Sequence, residues 1–426
     1  MHTTSAVPTR AAAAALDDAD PLACFRARFT GTDDEGPDRV LYLDGNSLGR
    51  MPRDTPAALA RVAEQEWAQG LVGSWSGWVE HATRIGDALA AGVLGARPGE
   101  VMISDTTSVD LYKLLVAAAD ARPGRDVLVC CADDFPTDRY VVAGVAAQRG
   151  MQVREVPAHI DEGLDTGVLS AALDERVAVL VLSQVAYRSG ALVDVAAVTA
   201  LAREAGALVV WDLSHAAGAV VADLGASGAD LAVGCTYKHL NGGPGAPAFL
   251  YVRRELQEQL RQPIWGWFGA ADQFEMGPVY DPAPGIERFA VGTPPVLAMA
   301  AVEVGVALVA EAGIERVQAK GRALTDLLVA LADAWLAEHG VALASPRDAT
   351  RRGAHVSLAH PHAWQLTQAL IARGVVPDFR TPDRLRLGPA PLYTRFVDVW
   401  DAMERLRDVL ATGAHESFPA ERTRVT

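Results

Sequence analysis

Apolar runs rich in Val and Leu alternate with helical patterns from about residue 100 to about residue 255. The runs at 127–131, 153–156, 177–183, 207–212, 231–235 and 248–252 are short and bounded by turn formers, and helical stretches separate most of them. Such alternation predicts an α/β region, a mostly parallel sheet covered by helices on both faces. Beyond Pro294 and Pro295, which suit a helix start, two long amphipathic segments end near Gly340. A short strand at 354–358, a helix to Gly374, strands at 375–379 and 385–387, and a last helix from Thr394 to about Leu410 predict a small α+β domain at the C-terminus. Between these regions, residues 262–293 show little periodicity but carry Trp265, Trp267, Phe268, Phe274, Tyr280 and Phe289. A segment this long without regular structure suits a flat ligand, or packs as a loop onto the body.

Candidate chemistry gathers at the ends of the predicted strands. Asp212 closes the run 207–212, and His215 follows three residues later. Ligands of open α/β sheets sit at the carboxyl ends of strands, which places this carboxylate at a site. The next run leads into Cys235-Thr236-Tyr237-Lys238-His239-Leu240-Asn241-Gly242-Gly243-Pro244-Gly245. A lysine just after a strand, flanked by hydroxyls and a glycine-rich turn and preceded by a strand-end aspartate, is the arrangement that pyridoxal phosphate needs. The aspartate keeps the pyridine nitrogen protonated and the lysine holds the aldehyde. Taken singly, Asp212 reads equally as a helix cap and the glycines as a hairpin. Thr106-Thr107-Ser108, before a helical run at 109–119, offers hydroxyls and backbone N–H groups to a phosphate, or serves as a plain N-cap. No G-x-G-x-x-G joins a strand to a helix, which argues against a dinucleotide site.

Composition sharpens the lysine. Only Lys113, Lys238 and Lys320 are lysines among 38 basic residues. Arginine has taken almost every place where a plain charge suffices, so each remaining lysine is a candidate for chemistry that a guanidinium cannot do. Half of the 426 residues are hydrophobic and 21% are charged, an ordinary globular balance, and the net charge of −15 disfavours a nucleic-acid or anionic-membrane partner. Cys24, Cys130, Cys131 and Cys235 lack metal-ligand or disulfide-framework spacing, so no metal is expected and a cytoplasmic location is. The apolar stretch 295–310 is interrupted by Glu303 and falls short of the roughly 20 residues of a membrane span.

Six blocks together resemble the kynureninase family: Tyr42-Leu43-Asp44-Gly45-Asn46-Ser47-Leu48-Gly49, Phe135-Pro136-Thr137-Asp138, Asp212-Leu213-Ser214-His215, Thr236-Tyr237-Lys238, Gly266-Trp267-Phe268-Gly269 and Gly292-Thr293-Pro294-Pro295. Arg386 with Pro389, Pro391, Leu392 and Tyr393 carries the match into the small domain. The resemblance implies a fold-type I pyridoxal-phosphate enzyme and a homodimer whose site both subunits build. It implies hydrolysis of L-kynurenine to anthranilate and L-alanine in tryptophan catabolism, with cleavage of the Cβ–Cγ bond. Its expected layout is an N-terminal segment, 1–55, packing with the small domain, a large cofactor-binding domain, 56–300, and a small C-terminal domain, 301–426.

Carried over residue by residue, the resemblance gives Thr107 and Ser108 to the phosphate. Phe135 stacks on the pyridine ring within the stretch Phe135, Pro136, Thr137 and Asp138, Asp212 pairs with the ring nitrogen, and Ser183 and His215 lie close to the cofactor. Tyr237, Trp267 and Thr293 complete the phosphate pocket, the last two from the partner subunit. Lys238 and Tyr237 are the catalytic pair, Tyr237 as proton carrier or as phosphate ligand only. Asn46 and Trp75 line the substrate side, and Arg386 clamps the α-carboxylate. Trp75 and Thr293 match the type that prefers L-kynurenine to its 3-hydroxy derivative. Competing readings are a cysteine desulfurase or aminotransferase of the same fold, and a non-catalytic regulator. The first needs a reactive cysteine in the small domain, yet every cysteine lies at or before residue 235; the second would have no use for Lys238.

Overall fold

The apolar runs of the large region assemble into one seven-stranded sheet. In chain order the strands are β1 (Val101–Ser104), β2 (Val127–Cys131), β3 (Gln152–Val156), β4 (Val177–Ser183), β5 (Leu208–Asp212), β6 (Leu231–Gly234) and β7 (Ala248–Val252). The computed structural model describes residues 7–36 and 39–422. The spatial order is β1-β7-β6-β5-β4-β2-β3. From β3 to β6 every neighbouring pair is parallel, and only β7 runs against both of its neighbours. Strand β4 reads Val-Ala-Val-Leu-Val-Leu-Ser with every residue buried, the continuous apolar signature of a strand covered on both faces. Strand β1 escaped the sequence pattern because its four residues, Val-Met-Ile-Ser, are too few to show a period.

Helices close both faces. Leu111, Leu114 and Leu115 of helix Thr107–Asp120 and Val142 and Val145 of helix Pro136–Arg149 form one core with the sheet. Val195 and Val198 of helix Val195–Glu204 and Met299, Val302 and Val306 of helix Val296–Ala312 form another. The chain bends by 82° from that last helix into Ile314–Trp335. Gly313, with φ of 80°, supplies the backbone conformation between them. Among the described residues no single helix is long and apolar enough to cross a membrane.

The C-terminal region is a four-stranded antiparallel sheet, β8 (Ala342–Leu343), β9 (Val356–Ala359), β10 (Asp378–Arg380) and β11 (Arg384–Leu387), in the order β10-β11-β9-β8. The expected strand 375–379 is two separate pieces. Pro377, which has no N–H to donate, divides them. Val375 and Val376 pair instead with Leu41 and Tyr42. Alternation then sorts the sheet. Val356, Leu358, Phe379, Leu385 and Leu387 enter an apolar core of their own, while Ser357, Asp378 and Arg386 stand on the opposite face. Ala13 of the first helix, Arg10–Asp18, joins that core. The Asp17 carboxylate accepts from Phe396 N at 2.6 Å and Val397 N at 3.0 Å, capping helix Phe396–Thr412.

Candidate active site

Register places the first group. Asp212 pairs with Ser183 on one side and Val233 on the other, so three parallel strands end together. Asp212 is buried and accepts from Ser214 N at 2.9 Å, and among the described residues no cation is ion-paired to it. Asp138, in the first turn of helix Pro136–Arg149, is buried beside it. Burial, followed by the charge of Asp212, holds the Asp138 carboxyl protonated well above the ordinary range, and one of its oxygens is unpartnered. A third carboxyl, Asp134, accepts from Cys131 N and Ser183 N and is pushed up to about 7, chiefly by burial. Three carboxyl groups converging on a strand end, none of them ion-paired to a cation among the described residues, form a site built for a positively charged group.

Lys238 follows β6 by four residues. Its Nζ lies 3.2 Å from His215 Nε2 and 6.0 Å from the centre of the Tyr237 ring, and among the described residues no carboxylate is ion-paired to it. Burial lowers the affinity of its amine for a proton. His215 is buried and kept neutral by burial and then by the charge of Lys238. The Tyr237 phenol is pushed up, mainly by burial, so it stays protonated and donates. Phe135, with Pro136 at N1 and Thr137 behind it in the helix, is 40% exposed and meets Tyr187 edge-on at 5.3 Å. Its exposed face is free to stack on a flat ring. This set of residues fits pyridoxal phosphate: an anionic strand end for the ring nitrogen, an amine without a carboxylate partner, and an exposed aromatic face.

The phosphate candidates begin the helix Thr107–Asp120, two residues earlier than the 109–119 pattern implies at its start. Thr106 is the N-cap and its hydroxyl accepts from Val109 N, which leaves Thr107 and Ser108 in the first turn. Asp105, just before that end, is tied to Lys113 Nζ at 2.6 Å.

Arg386 projects from β11 and is 1% exposed. Its guanidinium donates to Tyr187 O at 2.6 Å, to Ser47 Oγ at 2.9 Å and to Asp378. The Asn46 amide oxygen faces it and accepts from Nη2 at 3.0 Å and Nε at 2.9 Å. Gly388 permits this approach, because a side chain there would overlap that of Asn46. Behind them Asp44 is raised to about 6 by burial and then by Asp378.

Trp75, Trp267 and Thr293 form a separate group. Trp75 meets Trp78 at 5.3 Å and Phe268 at 6.0 Å, and Trp267 meets Phe268 at 4.5 Å. Trp267 is 38% exposed, and Thr293 is exposed on the rim of a cavity of about 60 Å³ shared with Phe268, Ser104 and Asp105. Sequence reasoning missed Tyr187, Asp378, His239 and His355. Asp378 stands directly opposite Arg386 on the neighbouring strand and on the same face, a relation visible only once the pairing is known.

The model of the kynureninase C-terminal domain matches residues 317–406. The kynureninase of Burkholderia pseudomallei (strain K96243) is 46% identical over 414 residues, covering 95% of this chain and 96% of that protein. The kynureninase of Pseudomonas fluorescens is 43% identical over 410 residues, covering 94% and 95%. Among solved structures, the apo cysteine desulfurase of Thermococcus onnurineus NA1 superposes with a TM-score of 0.76 at 17% identity, covering 88% of this chain and 95% of that one. The cystine C–S lyase C-DES with its product cysteine persulfide gives 0.77 at 18%, covering 87% and 97%. At such identities these structures speak to the fold alone.

Proposed function

The chain belongs to the kynureninase family, and we propose that the pocket around Lys238 is where it cleaves L-kynurenine with water into anthranilate and L-alanine. The enzyme is a pyridoxal-phosphate-dependent hydrolase of a carbon–carbon bond. The desulfurase alternative wants a cysteine in the small domain, and none lies there: exposed Cys24 belongs to the N-terminal segment and the other three to the large region. Burial raises the thiols of Cys130, to about 12, Cys131 and Cys235, and a reactive cysteine needs the opposite shift.

The observation that carries this reading is a lysine amine in contact with an imidazole and with no carboxylate, beside the uncompensated Asp212. Bound there, pyridoxal phosphate supplies an electron sink for the charge that develops at the substrate's α- and β-carbons. Asp212 holds the proton of the ring nitrogen, and protonated Asp138 stands beside it without adding a second charge. Thr107 and Ser108 present N–H and hydroxyl groups to the phosphate. Lys238 moves a proton from the substrate's α-carbon. Its depressed basicity keeps part of it in the free-base form, and His215 Nε2 is within reach of its proton. Tyr237, held as a phenol, would return a proton to the β-carbon. Asn46 and Arg386 orient the amino-acid end. Adding L-kynurenine to the pure protein and following anthranilate fluorescence tests the reading. Anthranilate and alanine in equal amounts are expected, and absence of both would overturn it.

The same reading makes the protein a homodimer of the cytoplasm. Trp265, Phe274, Met276 and Val279 stand 61–81% exposed in the segment that carries Trp267. Apolar side chains so placed favour burial against a second copy, which would bring the partner's copies of this segment to the site. The indole of Trp75 offers area to the unsubstituted aminophenyl ring and nothing to pair with a desolvated hydroxyl. L-kynurenine is therefore preferred over 3-hydroxykynurenine by about 10- to 200-fold in kcat/KM. Kinetics with both substrates measure this, and the reverse preference would contradict it.

A further inference from the structure

His355 precedes β9 and is completely buried, yet neither ring nitrogen has a partner among the described residues. A buried polar group without a hydrogen bond is expensive, so such a group in a native fold calls for a function. Its position is specific. Ser357 lies directly opposite Arg386 across the β9–β11 ladder, and His355, two residues back, is the diagonal neighbour on the same face. That face meets the large domain. The His355 ring centre is 5.6 Å from that of His215, whose Nε2 is 3.2 Å from Lys238 Nζ. Room for the ring is made by Gly190: a Cβ there would sit 3.3 Å from both Cδ2 and Nε2 and only 2.6 Å from the His355 carbonyl oxygen. The imidazole lies close enough to feel both the arginine that would hold the substrate's carboxylate and the lysine that would move its α-proton.

The state of Arg386 shows what is missing. A guanidinium has five N–H groups. Nε–H serves Asn46, both N–H groups of Nη2 are shared among Asn46, Ser47 and Asp378, and one of Nη1 serves Tyr187 O. One N–H of Nη1 remains. A carboxylate has two oxygens, and desolvating it in this pocket with a single donor would be costly.

We propose that His355 donates a hydrogen bond to the second oxygen of the substrate's α-carboxylate, so that an arginine–histidine pair binds this group in place of a bidentate guanidinium. Burial and the charge of Arg386 keep the imidazole neutral, with one N–H to give. The inference rests on the reading of the Lys238 pocket as the site of L-kynurenine cleavage.

Two polar variants test it. His355→Asn keeps a polar side chain but withdraws it, and should raise KM for L-kynurenine about tenfold with kcat within about threefold. His355→Gln, whose amide reaches further, should restore most of the loss. The inhibition constant of the amine left when the α-carboxyl group is removed from L-kynurenine should be the same in the wild type and in His355→Asn. The dissociation constant of L-alanine, measured by calorimetric titration, should rise along with KM. Equal weakening of the carboxylate-free amine would show a structural role and overturn the proposal, as would an unchanged KM in His355→Asn. Failure of the wild-type protein to form anthranilate would instead overturn the proposed reaction.

Discussion

Lys113 and Lys238 are both withdrawn from solvent, in opposite surroundings. Lys113 Nζ is fully enclosed by Asp105 at 2.6 Å, Asp110 at 2.8 Å, Ser104 Oγ at 2.9 Å and Phe289 O at 2.9 Å. Lys238 Nζ has an imidazole at 3.2 Å and, among the described residues, no ion-paired carboxylate. The Lys113 side chain, caged by two carboxylates, holds the start of helix Thr107–Asp120 to the loop before it, whereas the Lys238 amine, whose affinity for a proton burial lowers, is free to exchange its proton. The same residue type is a fastener in one place and a reagent in the other, and the carboxylates make the difference. Lys320, paired with Asp20 at 2.6 Å, is a second fastener.

The contrast breaks most visibly by truncation. Lys238→Ala should reduce turnover of L-kynurenine by about 10⁴-fold while leaving the thermal midpoint nearly unchanged. Lys113→Ala should do the reverse: stranding Asp110 in the interior costs about 3–5 kcal/mol of stability, with kcat of the folded fraction preserved. Paired denaturation and rate measurements on both variants decide it, and an inactive but stable Lys113→Ala would collapse the distinction.

The scarcity of lysine, read from the sequence, points at all three residues alike. What it marks is burial: a compact ammonium fits where a guanidinium would need more room and more acceptors. Telling fastener from reagent required the partners of Lys113, which come from residue 105 and from the distant Phe289. The strand ends were more legible. Apolar runs fix where β5 and β6 stop, so Asp212 and Lys238 could be paired before any coordinate, whereas Ser183 came only from the family resemblance and its place beside Asp212 from the register. The small domain was legible as elements and opaque as a surface. Whether Asp378, Ser357 or His355 shares a face with Arg386 depends on cross-strand register, which a one-residue slip would reverse.

Asp212→Asn sharpens the comparison on the reagent side. It preserves shape, removes the charge that holds the ring proton, and should lower kcat by about 10²- to 10³-fold with the cofactor retained. Near-normal rates would place the electron sink elsewhere. A smaller effect is expected of Arg386→Lys, which loses the planar set of donors that Asn46, Ser47, Asp378 and Tyr187 share. KM should rise by about 10- to 150-fold, equivalent to about 1.5–3 kcal/mol, while the visible spectrum of the bound cofactor persists. Loss of that spectrum would make Arg386 another fastener.

The smallest effect belongs to a surface fastener. Glu303 accepts from Arg84 and sits 3.2 Å from His81 Nε2, and these contacts, the His81 hydrogen bond foremost, depress its carboxyl to about 2. A group with a folded pKa below its unfolded value stabilises the fold above the unfolded value and loses that contribution as pH falls through the folded one. The Glu303 contribution should fade between about pH 4.5 and about pH 2, and Glu303→Gln should flatten that part of the stability profile without altering turnover at neutral pH.

The central claim, that Lys238 alone of the three lysines carries the cofactor, is tested most directly by reducing the holoenzyme with borohydride and mapping the labelled peptide by mass spectrometry. The pyridoxyl mass should appear on Lys238 and vanish in Lys238→Ala. Label on Lys113 or Lys320, or a labelled Lys238→Ala protein, would contradict it.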